Sequence, residues 1–85
     1  MTAERWEHIV ESHDEMAGYE DDVLRVIENP ELVLAGHRGS LQAVKSYGRL
    51  GYLVVVYRET SRTDGFVITA FFRRRIDKRK VVWRL

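Results

Sequence analysis

Residues 52–72, YLVVVYRETSRTDGFVITAFF, decide the fold of this chain of 85 residues. Residues 52–57 are apolar throughout and rich in β-branched and aromatic side chains, which is typical of a central strand. Residues 66–72 have the same character, and the polar residues 59–65 between them end in Asp-Gly, a hairpin-turn composition. The stretch therefore predicts two antiparallel strands joined by a tight turn.

Shorter apolar runs on either side of this hairpin predict further strands. Residues 31–36 and 41–47 are such runs, with a turn at 37–40 between them and the sequence GRLG at 48–51 leading into the hairpin. Residues 81–85 add a last short strand. Since strands joined by short turns pair antiparallel, we expect a four- to five-stranded, mainly antiparallel sheet.

The N-terminal part has helical periodicity instead. Residues 2–17 predict a first helix, with Thr2 as its N-cap and Gly18 as its stop. Residues 19–29 predict a second helix that ends before Pro30. The apolar face of the first helix collects Trp6, Ile9, Val10 and His13, and that of the second collects Tyr19, Val23, Leu24 and Ile27. Both helices are too short to be stable alone, so we expect them to dock on the sheet.

This element order predicts an α+β fold in a single domain, residues 1–85. Two N-terminal helices would pack on one face of the sheet, and the other face would stay open. The chain has no cysteine, which excludes disulfides, thiolate nucleophiles and thiolate metal sites. No apolar run approaches the roughly 20 residues that span a bilayer, and the acidic start lacks the apolar core of a signal peptide. We therefore expect a soluble cytoplasmic protein without a membrane partner.

Charge is distributed unevenly along the chain, although the net charge is only +1. Residues 1–32 carry ten acidic and two basic residues, a net charge of −8. Residues 33–85 carry twelve basic and three acidic residues, a net charge of +9. One interpretation is a basic surface for a polyanion such as RNA. The other is internal pairing, in which acidic helices lie over a basic sheet.

The densest positive charge lies in residues 73–80, RRRIDKRK, where six of eight residues are basic. We predict a loop or an exposed edge there. Bases at strand edges also guard against aggregation, but this run exceeds what such a guard needs. Because guanidinium groups match the geometry of phosphate, the run favours phosphate binding. The predicted phosphate contacts are Lys45, Arg73, Arg74, Arg75 and Lys80.

The spacing of the histidines does not favour a metal site. His8 and His13 are five residues apart, about 140° around a helix, so they cannot chelate one ion from one face. His37 stands alone in a predicted turn. No phosphate loop or other cofactor motif is present, and we predict neither a metal nor a cofactor. His13 extends the apolar face of the first helix, where it is either a structural histidine at the core edge or a general acid or base.

Strand alternation predicts a second group of candidates. Lys45 and Tyr47 share one side of their strand, and Thr69 shares one side of its strand with Val67 and Arg73. Thr69 is the only polar residue in its apolar run, where it is either a good strand former or a group that positions a phosphate or a base. Tyr47 is a candidate for stacking on an RNA base or for an alternative acid.

A series of short segments resembles a known family. The series is Trp6-x-His8-Ile9, His13-Asp14-Glu15-Met16, Asn29-Pro30, YLVVV at 52–56, FVITA at 66–70, Lys80 and Trp83. It resembles, over nearly the whole chain, small prokaryotic and phage proteins grouped with the Barnase–EndoU–colicin–RelE-like (BECR) nucleases. The resemblance implies a RelE-like sheet with helices at its N-terminus. It also implies metal-independent cleavage of RNA, often in toxin–antitoxin or phage-conflict systems.

The resemblance also implies roles for individual positions. His13 matches a His-Pro-Glu-Met-like segment of the family, Thr69 a Val-Thr-Ala-like strand, and His8 the Trp-x-His-Ile segment. Asp14 stands where the family often has proline, a departure at the end of the first helix. The implied partners are RNA and an antitoxin protein.

The working hypothesis is therefore a metal-independent endoribonuclease with RNA lying across the open basic face. Its candidate catalytic residues are His8, His13, Tyr47 and Thr69, with His13 as the base or acid. The alternative is a non-catalytic RNA-binding or protein-interaction module on the same fold. A third hypothesis pairs the −8 and +9 segments between subunits, so a monomer and a homodimer both remain open.

Overall fold

The computed structural model describes residues 1–62 and 64–85 and has the predicted α+β architecture. Its strands are β1 (Leu32–Ala35), β2 (Leu41–Ser46), β3 (Tyr52–Glu59), β4 (Gly65–Arg73) and β5 (Val81–Arg84). They form one sheet in the order β4-β3-β2-β1-β5, and each neighbouring pair is antiparallel. All five predicted strands are confirmed. Thr63, in the predicted turn between β3 and β4, lies outside the described residues.

Two helices precede the sheet, α1 (Ala3–Ser12) and α2 (Glu20–Glu28). Thr2 caps α1 as predicted, since its hydroxyl accepts a hydrogen bond from the amide of Arg5 at 3.1 Å. The prediction that this helix continues to residue 17 is wrong. The chain leaves helical geometry at His13 (φ −138°, ψ 79°) and makes a short 3₁₀ turn, which lets Met16 enter the core with no exposed surface. Neither helix, nor any other in the described residues, is long and apolar enough to cross a membrane.

The helices cover one face of the sheet, which we call the helix side. The contact consists of Ile9, Met16, Val23 and Val26 from the N-terminal elements and Ala43, Leu53, Val55 and Ala70 from the sheet. Each of these side chains is at most 1% exposed. Since burying one large aliphatic side chain contributes about 1.5–3 kcal/mol, this contact stabilises helices that would not form alone.

The opposite face is crossed by residues 74–80, which we call the strap. β4 and β5 are consecutive in the chain but lie at opposite edges of the sheet, so their connection must span about 19 Å across the strands between them. Ile76 packs there on a second cluster of buried residues, Leu34, Val44 and Val54. The expectation of an open second face is therefore corrected: this face, the strap side, is partly covered by the basic segment itself.

A β-bulge alters the predicted alternation in β4. Val56 pairs with Thr69, but the next residue, Tyr57, pairs with Val67, so Ile68 is an extra residue in β4. Val67 consequently belongs to the core on the helix side, whereas Thr69 is paired with a residue of the strap side. The prediction that Val67 and Thr69 share one side is wrong, because a bulge shifts the two-residue period by one.

Candidate anion-binding site

The acidic and basic parts of the chain do not neutralise each other by direct contact. Within residues 1–62 and 64–85, ion pairs join His13 to Glu15 at 3.7 Å and Asp77 to Arg79 at 3.0 Å. Neither pair connects the acidic segment 1–32 to the basic remainder of the chain. The predicted internal pairing of acidic helices with a basic sheet is therefore absent from the described residues. Within the described residues, ion pairs with the acidic helices therefore do not cancel the field of the basic groups on the strap side.

A polar cleft of about 350 Å³ opens on the strap side, between the strap and the strands β1, β2 and β4. It is lined by Leu34, Ala35, Gly36, His37, Gln42, Arg73, Asp77 and Lys80. Three separate segments meet in it: the hairpin between β1 and β2, the end of β4, and the strap. Two predicted phosphate contacts, Arg73 and Lys80, therefore converge with a histidine that was predicted only as a turn residue.

The hairpin of residues 36–40 fixes the backbone at His37. The amide of Gly36 donates to the carbonyl of Ser40 at 2.8 Å, and the buried hydroxyl of Ser40 donates to the carbonyl of His37 at 2.7 Å. A β-carbon on Gly36 would collide with the hydroxyl of Ser40, so a side chain there would have to displace that hydroxyl from its hydrogen bond to His37. Arg38 has a left-handed conformation (φ 54°), and its carbonyl accepts a hydrogen bond from Arg58 at 2.8 Å. These bonds fix the backbone of His37, an exposed residue that lines the cleft.

Arg73 enters the cleft from the end of β4, where it pairs with Tyr52. The turn before β3 packs closely on this strand end, because a β-carbon on Gly51 would collide with the carbonyl oxygen of Arg73. Gly51 also has φ +87°, which a residue with a side chain rarely adopts. The position of the Arg73 backbone is therefore set by two neighbouring segments, while its guanidinium is exposed.

Lys80 is placed by a short turn at the end of the strap. The carboxylate of Asp77 accepts hydrogen bonds from Arg79 through its backbone amide (3.0 Å), its Nε (3.0 Å) and a terminal nitrogen (3.2 Å). The amide of Lys80 donates to the carbonyl of Asp77 at 3.1 Å, which closes the turn. The side-chain hydrogen bonds of Arg79 are the main reason why the pKa of Asp77 lies below its usual value.

His13 lies outside this cleft, at the free edge of β4. Its ring centroid is 5.5 Å from that of Phe71, and its Nδ1 is 3.7 Å from a carboxylate oxygen of Glu15. Phe71 lies between Thr69 and Arg73 along the same side of β4, so His13 contacts this side of the strand through the Phe71 ring.

Tyr47 and Lys45 are on the helix side, separated from Thr69 and Arg73 by the sheet. The hydroxyl of Tyr47 donates to Asp22 at 2.6 Å, and burial followed by this hydrogen bond raises the pKa of Tyr47 to about 12. Lys45 lines a mostly apolar hollow beside Trp83. The predicted group of candidates is thus divided between two faces.

The remaining candidates are on exposed surfaces. His8 lies on the outer side of α1, beside Arg5. Arg74 and Arg75 are exposed on the strap and are not among the cleft-lining residues. Glycines at positions 36 and 39 are the only sequence signal near His37. They indicate a tight hairpin, but they do not indicate that this hairpin lines a cleft.

The described residues contain no group of three or more histidine and acidic side chains placed to hold a metal ion. Comparison with known proteins gives no relative: no family model, no curated protein and no solved structure matches the chain. The resemblance to RelE-like nucleases therefore stays a prediction.

Proposed function

We propose that this protein binds RNA through the polar cleft and cleaves it without a metal ion. The observation that carries the proposal is that Arg73, Lys80 and His37, which belong to three different segments of the chain, line one cleft. Two cations suit a phosphodiester, and an imidazole is the side chain best suited to move protons near neutral pH.

The chemistry follows from these three groups. His37 would accept the proton of a ribose 2′-hydroxyl, whose oxygen then attacks the adjacent phosphorus. The bond from phosphorus to the 5′-oxygen breaks, and that oxygen takes up a proton from solvent. Arg73 and Lys80 would stabilise the negative charge that develops on the phosphoryl oxygens. In this proposal the role that the sequence favoured for His13 passes to His37, because His13 lies beside Phe71 and Glu15, outside the cleft.

Two further observations support RNA as the ligand. In the part of the chain that the structure describes, no ion pair joins the basic residues of the strap side to the acidic helices, so these residues favour a polyanion. The resemblance to RelE-like nucleases, although it matches no family model, points to the same substrate.

The test of cleavage compares three histidine variants on mixed RNA in EDTA. We expect His37→Ala to lower the cleavage rate by about 10²–10⁴-fold, the usual contribution of a general acid or base. His8→Ala, on the outer side of α1, is the matched control and should cleave like the parent. If His13→Ala is the inactive variant and His37→Ala is active, the site is at the edge of β4 and our assignment is wrong.

The alternative is an RNA-binding protein without catalysis. The observation that favours it is the shortage of proton-transfer groups. Among the described residues His37 is the one histidine that lines the cleft, and the hydrogen bonds of Arg79 keep the carboxylate of Asp77 ionised by lowering its pKa. In this case the cleft binds RNA with the same residues, and the RNA remains intact at any protein concentration.

Both candidates require phosphate binding at the cleft, which charge-matched double variants test. Arg73→Ala with Lys80→Ala removes both cleft cations, whereas Arg5→Ala with Arg49→Ala removes two exposed cations elsewhere. We expect only the cleft variant to bind RNA much more weakly, and its affinity should depend less steeply on salt by about one counterion per lost contact. Equal losses in both variants would mean that net charge, not the cleft, binds RNA.

A further inference from the structure

The cleft contains hydrogen-bond acceptors as well as cations. Asp77 and Gln42 line it together with Arg73 and Lys80. A bare anion needs only donors, and a carboxylate beside its site repels it. A cleft with both kinds of group therefore suits a ligand that carries an anion and a hydrogen-bond donor close together.

Asp77 is held in a fixed orientation. Its carboxylate accepts three hydrogen bonds from Arg79, and its carbonyl closes the turn with Lys80. A carboxylate has about four acceptor positions, so it can take a further donor without releasing Arg79. The Arg79 guanidinium also compensates the charge of Asp77, which limits its repulsion of a phosphate at Arg73 and Lys80.

We propose that Asp77 accepts a hydrogen bond from the 2′-hydroxyl of the nucleotide that follows the phosphate on Arg73 and Lys80, a different hydroxyl from the one that His37 would deprotonate, and so distinguishes RNA from DNA. This inference rests on the proposed function. In an RNA backbone the donor beside each phosphate is the 2′-hydroxyl, and DNA lacks it. The partners of Asp77 make it an orienting group and not the base, because the hydrogen bonds of Arg79 stabilise its ionised form.

The experiment compares the affinities of three oligonucleotides of one sequence. They are RNA, its 2′-fluoro analogue, which keeps the sugar conformation but cannot donate, and DNA. Binding is measured in EDTA with the His37→Ala protein, so that the RNA is not cleaved, and gels confirm that it stays intact. This protein is the parent for the Asp77 variants below. The parent should prefer RNA to the 2′-fluoro strand by about tenfold, the value of one hydrogen bond to a charged group.

Further Asp77 substitutions in this parent test the assignment. Asp77→Ala should bind RNA and the 2′-fluoro strand equally. Asp77→Asn keeps an acceptor and an N-capping side chain, so it should fold like the parent and retain part of the preference. Circular dichroism and thermal melting of each variant report whether the strap change disturbs the fold.

The outcomes separate this inference from the proposed function. If the Asp77→Ala variant binds RNA and keeps the full preference over the 2′-fluoro strand, Asp77 does not read the hydroxyl, although the cleft still binds RNA. If the parent binds none of the three strands, the proposed function itself fails.

Discussion

The hydrogen bond between Tyr47 and Asp22 gives the most quantitative prediction from this structure. Tyr47→Phe removes a 2.6 Å bond that ties the end of β2 to α2. Hydrogen bonds to charged groups contribute about 1.5–3 kcal/mol, and the half-buried Asp22 can regain water, so we expect a loss of about 1.5 kcal/mol. For a domain of this size, that loss lowers the Tm by about 6–12 °C.

The assay is thermal and urea unfolding of the parent and two tyrosine variants. Tyr52→Phe is the control, because Tyr52 is also half-buried in β3 but its hydroxyl makes no hydrogen bond among the described residues. We expect its Tm to stay within about 2 °C of the parent, consistent with substitutions away from specific contacts. A Tyr47→Phe variant as stable as the parent would refute the structural role. If Tyr47→Phe instead has the Tm of the parent but no longer cleaves RNA, Tyr47 acts as a general acid.

The same bond predicts how stability depends on pH. Folding raises the pKa of Tyr47 from 10.0 to about 12, so the stabilisation is fully present below pH 10, where both folded and unfolded chains hold the proton. Between pH 10 and 12 the unfolded chain ionises first, and the stabilisation is lost as the pH passes through 12. The stability difference between parent and Tyr47→Phe should therefore shrink between pH 9 and pH 11. Tyr57, whose pKa is also raised by burial, is present in both proteins and cancels.

Two further predictions concern the backbone around the cleft and the strap. Gly51→Ala should lower the free energy of unfolding by at least about 2 kcal/mol and weaken RNA binding, because it strains a left-handed residue and collides with Arg73. The control is Gly18→Ala, since Gly18 has φ +89° and open space around it, so that this variant shows the cost of the strain alone. Equal losses of unfolding free energy in the two variants would refute the contact between Gly51 and Arg73. Ile76→Ala should lower the free energy of unfolding in urea by about 1–2 kcal/mol and reduce RNA affinity, because Ile76 anchors the strap on the sheet. Val82 is 60% exposed, so Val82→Ala should change neither stability nor affinity.

Most of the fold follows from local sequence signals. The apolar runs at 52–57 and 66–72 mark strands because burial on both faces needs continuous apolar side chains. Residues 53–55 are buried inside β3, whereas β4 is an edge strand in which Val67 and Ala70 are the buried residues of the run. The end of α1 was less predictable. His13 continues the helical face of Trp6 and Ile9, yet the chain turns there because tertiary packing of Met16 outweighs a weak helical preference.

The site was less predictable than the fold, because it depends on strand order. Alternation assigns a residue to a face only within an unbroken strand, and the bulge at Ile68 breaks β4 between Val67 and Thr69. Nothing local in the sequence shows that β5 joins the edge beside β1 rather than the edge beside β4. Without that strand order, the sequence does not predict that His37 and Lys80 line the same cleft.

The strand order also changes how the basic run should be interpreted. A charge run at a sheet edge would be solvated, but a run that connects opposite edges has to lie on the sheet. The single apolar residue within RRRIDKRK, Ile76, packs on the second core cluster, so the basic side chains before and after it are held at the sheet surface. The strap therefore removes the broad open face on which we expected RNA to lie. In the proposed function, RNA instead reaches the polar cleft on the strap side, whose lining includes Arg73, Lys80 and His37.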